Sequence, residues 1–169
     1  EKGEVHALLG ENGAGKSTLM NCLYGMYDSY EGEIVSDGES VEIKDSKQAI
    51  ALGIGMVHQH FMLIPVLSVI ENVVLGLSEN KPILDLKTAA AKFSELGKKY
   101  NMEIDPWQKV EQLSVGQQQR VEILKALYRE AKLLILDEPT AVLTPSEIEG
   151  LFDMIEALKK EGRTVIFIS

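Results

Sequence analysis

The chain has 169 residues, one cysteine, and 17 Lys plus Arg against 26 Asp plus Glu, a formal net charge of −9. That length suits one domain with a core that needs neither disulfide nor metal, and 45% hydrophobic with 25% charged residues is a globular composition. The acidic balance excludes a duplex-DNA binder that works by neutralising phosphates, Cys22 alone forms no intrachain disulfide and fits a reducing compartment, and no apolar run approaches the roughly 20 residues of a membrane-spanning helix.

Val5 to Leu9 reads as a buried strand. Residues 10–18, GENGAGKST, follow it, and Gly10, Gly15, Lys16 and Ser17 match G-x-x-x-x-G-K-[ST]. A loop of backbone N–H groups must curl around phosphate oxygens here, and side chains at the glycine positions would block the curl. The nucleotide contacts therefore fall to Gly10, Glu11, Asn12, Gly13, Ala14, Gly15, Lys16, Ser17 and Thr18. The next helix, near Lys16 to Tyr24, points its positive dipole end at the anion. Lys16 reaches the β- and γ-phosphates and the Ser17 hydroxyl binds Mg²⁺ in this reading. Cys22, inside that helix, reads as a small core residue.

Glu33–Val35 and Val41–Ile43 flank a polar stretch and predict a small hairpin. Ile54–Val57 reads as another strand, and an oddly apolar segment, Phe61 to Leu67, comes after it. His58 and His60 lack acidic or Cys partners nearby in sequence, so their H-x-H spacing is not taken as a metal site. Ser68 and Glu71 form a capping box before Asn72 to Leu77. Leu86, Ala89, Ala90, Phe93, Leu96 and Tyr100 share one helical face. Ser114 and Gln117 form a further box, for a helix to about Arg129.

Residues 133–139, LLILDEP, are a buried strand that delivers two carboxylates to the sheet edge where ligands bind. Asp137 holds Mg²⁺ in this reading and Glu138 activates a water against the γ-phosphate. Thr144, Pro145 and Glu147 start a helix through Leu158, and Thr164 to Ile168 is the last strand. Strands alternating with helices indicate an α/β sheet, parallel and covered on both faces.

Leu113 to Gln117, LSVGQ, followed by Gln118, Gln119 and Arg120, resembles the signature motif of ATP-binding-cassette (ABC) ATPases. With the phosphate loop, Gln59 in MVHQHF and LLILDEP, four motifs stand in that family's order over residues 10–144. The resemblance implies a P-loop NTPase fold: a RecA-like, mostly parallel sheet core, a small antiparallel β part and a helical subdomain. On that frame residues 1–67 and 131–169 form the catalytic core and about 68–130 the helical subdomain of one truncated domain. It implies ATP and Mg²⁺ as cofactors, catalysis by Glu138, Lys16 and Gln59, and a metal held by Ser17, Gln59 and Asp137. It also implies that Ser114, Gly116 and Gln117 touch ATP held by a second cassette, either an identical chain or the second half of the same polypeptide. Transmembrane permease subunits would meet the segment His60 to Leu67, and a solute-binding protein would act indirectly. Nucleic acid is not an expected partner, and the location implied is the cytoplasmic face of the membrane, peripheral.

Thr144 stands where most of the family has Asp, which puts that contact across the cassette pair in question. The DEPTAVLTP form resembles the N-terminal cassette of bacterial sugar and nucleoside importers. The adenine-stacking aromatic would precede Glu1 and the switch histidine would follow Ser169, so the expectation is a piece with little hydrolysis of its own. Other functions fit less well. DNA-repair cassettes insert a coiled coil between the Gln59 and Ser114 positions, and only 54 residues lie between them here. Translation-associated cassettes carry Asn-His-Leu-Asp where Ala141 to Thr144 stand. A small-molecule kinase has no need of LSVGQ.

Overall fold

Four of the short apolar runs become the strands of one parallel sheet. The computed structural model describes residues 2–11, 13–27, 29–77 and 85–169. In chain order these hold β1 (Val5–Leu8), α1 (Lys16–Leu23), β2 (Ile34–Ser36), β3 (Glu39–Val41), α2 (Ser46–Ala51) and β4 (Ile54–Val57). Then come α3 (Val69–Val74), α4 (Leu86–Lys99), a 3-10 turn (Val110–Gln112), α5 (Val115–Tyr128), β5 (Leu133–Asp137), α6 (Pro145–Lys160) and β6 (Thr164–Ile168). The sheet order is β1-β6-β5-β4, with every pair parallel. Parallel pairing brings the C-terminal ends of β1, β4 and β5 to one edge, and the loops that leave them carry the phosphate loop, Gln59 and Glu138.

The strand period of two sorts the core into two layers. Leu134 and Leu136 of β5, with Val57 and Val165, face a large cluster built with α3, α4, α5 and α6. Ile135, Ile54, Met56 and Ile168 face the opposite way, onto Met20 of α1, Ala49 of α2 and Ile43. The sheet is thus covered on both faces by helices, as an α/β fold requires.

Three expectations need correction. β1 ends at Leu8 and three of its four residues are exposed, because it lies at the end of the sheet with only β6 beside it among the described residues. The hairpin pairs Ile34 with Val41 and Ser36 with Glu39, a tighter closure than expected. Asp37 and Gly38 make the turn with φ of 51° and 86°, and Asp-Gly is a favoured pair for a two-residue hairpin loop with both residues at positive φ. The helix after Ser68 starts at once, at Val69, and stops at Val74, since a capping serine is the residue directly before the first turn. There the Ser68 N–H donates to Glu71 Oε2 at 2.7 Å. The short α2 was not foreseen; Asp45 caps it by accepting from the Gln48 N–H at 2.8 Å.

Candidate active site

The phosphate loop leaves β1 and turns directly into α1. Gly13 and Gly15 have φ of 85° and 88°, and a Cβ on either would meet nothing within 4 Å among the described residues. The backbone angle, not the space, therefore calls for glycine at both positions. Gly15 is the residue before α1, so Lys16, Ser17 and Thr18 form the helix's first turn, where N–H groups lack intrahelical partners. The Lys16 ammonium donates to the carbonyl oxygens of Gly10 at 2.6 Å and Glu11 at 3.1 Å, and the Ala14 N–H donates to Glu11 O at 3.1 Å. Asn12, also expected in the loop, lies outside the described residues.

Asp137 is the last residue of β5 and only 7% exposed. Its Oδ1 accepts from the Ser17 hydroxyl at 3.1 Å, a bond that spans 120 residues of chain. Glu138 follows with φ of 46°, and its N–H donates to Ile168 O at 3.1 Å. Gln59, just beyond β4, donates from Nε2 to Glu138 Oε2 at 2.8 Å. Residues 13–18, Gln59 and Glu138 line one open cleft of about 340 Å³. Ser17 Oγ, the Asp137 carboxylate and the Gln59 amide oxygen are hard oxygen donors, the set that suits Mg²⁺ rather than a soft metal. The glycine loop and the free-ended helix turn beside them suit a polyphosphate.

Ser114, Gly116 and Gln117 are not in this cleft. They open α5, where the Ser114 N–H donates to Gln117 Oε1 at 2.9 Å and the Gln117 N–H donates to Ser114 Oγ at 3.2 Å. Gly116 packs against Glu147 of α6, and a Cβ added to it would overlap the Glu147 carboxylate. That carboxylate accepts from the Thr144 N–H at 2.9 Å and the Thr144 hydroxyl at 2.7 Å.

The apolar segment after Gln59 divides in two. Leu63 packs against the core, while Met62, Ile64 and Val66 are 58%, 39% and 63% exposed. Its backbone is held from below by polar side chains that sequence reasoning did not single out. Asn72 of α3, 1% exposed, accepts from the Ile64 N–H at 2.7 Å and donates to Ile64 O at 3.1 Å and Ser68 O at 3.0 Å. Glu122 of α5 accepts from the Met62 N–H through Oε1 at 2.9 Å. Gln119, one turn earlier, donates from Nε2 to Pro139 O at 2.7 Å. The available signal was polar residues inside otherwise apolar helices.

Beneath this segment Tyr24, His58, Met62, Glu122, Lys125 and Arg129 line a cavity of about 210 Å³. The Tyr24 and His58 rings meet edge to face at 5.8 Å. Burial pushes His58 below its ordinary value, against the upward pull of Glu122 and Asp137. Burial also pushes Lys125 down, although Glu122 lies 3.6 Å from its ammonium.

A family model described as "ABC transporter" matches residues 1–141. The chain belongs to the ABC transporter family. Relatives of this cassette include the nucleoside import ATP-binding protein NupA of Lactococcus lactis, 55% identical over 170 residues that cover 100% of this chain and 34% of NupA. The glucose import ATP-binding protein TsgD13 of Haloferax volcanii is 51% identical over 198 residues, 100% of this chain and 36% of that protein. The chain thus spans about a third of the length of the curated relatives it matches. Among solved structures, the ATP-binding cassette MJ0796 in a dimeric post-hydrolysis state with ADP and Pi superposes with a TM-score of 0.84. It is 30% identical, and the match covers 100% of this chain and 75% of that one. A nucleotide-free cassette from an ABC transporter gives 0.85 at 25% identity, over 100% of this chain and 71% of that one.

Proposed function

We propose that this cassette binds and hydrolyses ATP to power a membrane importer of nucleosides or sugars. The observation that carries the proposal is the cleft in which the phosphate loop, Gln59 and Glu138, from three separate strand ends, meet. The import proteins that resemble the chain over its whole length support the substrate class. When bound, ATP would supply the γ-phosphoryl group and Mg²⁺ would neutralise charge on the phosphates. Lys16 then exchanges its loop carbonyls for phosphate oxygens, a gain because the acceptors are charged. Ser17, Gln59 and Asp137 would hold the metal. Glu138 accepts the proton of the attacking water, and Gln59, hydrogen-bonded to Glu138 at 2.8 Å, helps to orient that water.

The remaining parts follow from the same reading. Residues 1–67 and 131–169 form the nucleotide-holding core, and 68–130 the helical subdomain. Ser114, Gly116 and Gln117 serve the ATP of a second cassette. Met62, Ile64 and Val66 offer permease subunits an apolar face. A solute-binding protein acts indirectly through those subunits, and the cassette sits at the cytoplasmic side of the membrane. Among the described residues no helix is long and apolar enough to cross it.

The test uses the full-length protein. Glu138→Gln is expected to bind ATP like the parent and to hydrolyse it at least about 100-fold more slowly, the loss expected for a general base. Turnover near the parent's would remove Glu138 from that role.

A further inference from the structure

We propose that α5 positions both reactive side chains of the ATPase site from behind, through Gln119 and Glu122. The proposal rests on the roles just given to Glu138 and Gln59. Three residues apart, the two side chains leave the same side of the helix. Gln119 is 2% exposed and Glu122 6%. Gln119 Nε2 holds Pro139 O at 2.7 Å, the carbonyl of the residue directly after Glu138. Glu122 Oε1 holds the Met62 N–H at 2.9 Å, three residues after Gln59. The two held segments meet in front, where Gln59 donates to Glu138 at 2.8 Å. α5, the Pro139 peptide, Glu138, Gln59 and the Met62 peptide thus form a closed circuit of hydrogen bonds and short covalent spans.

Apolar packing does not explain these two residues. Their neighbours on the helix, Val121, Ile123 and Leu124, are 0–1% exposed, so apolar side chains at 119 and 122 would join an existing core without desolvating polar atoms. Gln119 Oε1 is buried without a hydrogen-bond partner among the described residues, a cost that packing alone would avoid. Apart from the Glu122 carboxylate's pairing with Lys125 at 3.6 Å, what the polar groups supply is a fixed distance from α5 to two backbone positions. A displacement of about 1 Å at a reacting group can cost about 100-fold in rate, so such fixing has a catalytic consequence. Because Ser114 caps α5, a shift at this end of the helix also moves both tethers together.

The experiment compares Gln119→Met and Glu122→Ala with the parent full-length protein. Methionine fills a similar volume without the donor, and alanine removes the acceptor. Each is expected to lower kcat at least about tenfold while KM for ATP and ATP affinity stay within about twofold. Glu122→Gln, which keeps an oxygen for the Met62 N–H, recovers most of the loss. In the Glu138→Gln background, Gln119→Met lowers the residual rate no further, because it acts through Glu138. Amide exchange at Met62 quickens in Glu122→Ala, a readout independent of turnover. The two variants probe separate segments, so one misfolded protein leaves the other decisive. Unchanged kcat in the folded variants, or an undiminished loss in the Glu138→Gln background, overturns the proposal. Parent turnover that Glu138→Gln fails to slow would instead overturn the reading of the site itself.

Discussion

Lys16 is held inside the loop it serves, by two carbonyls of that loop. On the role proposed above its ammonium draws phosphate in, and Lys16→Ala is expected to abolish ATP binding in the full-length protein; an unchanged affinity by calorimetry would refute this. His58 gives a pH dependence. Burial holds it below the ordinary 6.5, so the unfolded chain takes up its proton at a higher pH than the folded one. The contribution of neutral His58 is therefore complete above about 6.5 and is lost as the pH falls below that value. Melting temperature is expected to drop over this range, and His58→Phe, which retains a ring against Tyr24, should flatten the drop. The phosphate-loop residues and the Asp137–Glu138 pair were legible because their spacing is itself the chemistry. Asn72, Gln119 and Glu122 were not, since a polar residue in a helix normally marks the solvent face, and here burial reverses that meaning.

Elements were legible where their signal is local. The β4 and β6 bounds match the apolar runs, and α6 starts where Thr144 and Pro145 place it. β1 was misjudged because apolar content does not say how many neighbours a strand has, and sheet order is a long-range property. Two glycines make element-scale predictions. On Gly55 of β4, a Cβ would stand 2.9 Å from Ala131 Cβ and 3.0 Å from Ala126 Cβ, atoms fixed to backbone. Gly55→Ala is expected to cost about 1–3 kcal/mol of overpacking, read from urea unfolding; an unshifted midpoint would mean that α5 can retreat from the sheet. Gly116→Ala must drive Glu147 off the start of α6, and loss of that cap should cost about 1 kcal/mol. Equal stability would show that Glu147 finds another place without loosening Thr144.

At the scale of the molecule, the β1-β6-β5-β4 order gathers the site from segments as far apart as Gly13 and Glu138. The α/β class followed from alternating elements. The gathering followed from the rule that parallel strands present ligands at their C-terminal ends. That LSVGQ lies away from this cleft was legible only through the family resemblance, because capping chemistry alone says nothing of a second chain. Binding to the folded state alone links the site to the whole structure. At 100 times its dissociation constant, Mg²⁺-ATP should stabilise the full-length protein by about 2.7 kcal/mol. A thermal shift is the measurement, and Lys16→Ala should show none; a shift that survives this substitution would place the nucleotide elsewhere.

Glu138 has a backbone angle of 46°, a left-handed conformation that costs a side chain of its kind about 1 kcal/mol or more and that Gly or Asn tolerates better. With the role proposed for Glu138, durability and reactivity pull against each other at a single position. A library randomised there and sorted only for heat tolerance is expected to discard the carboxylate and enrich Glu138→Asn, giving proteins that outlast the parent and turn over at least about 100-fold more slowly. If the glutamate survived such a sort, the bonds from Gln59 and to Ile168 would have to offset the angle in full.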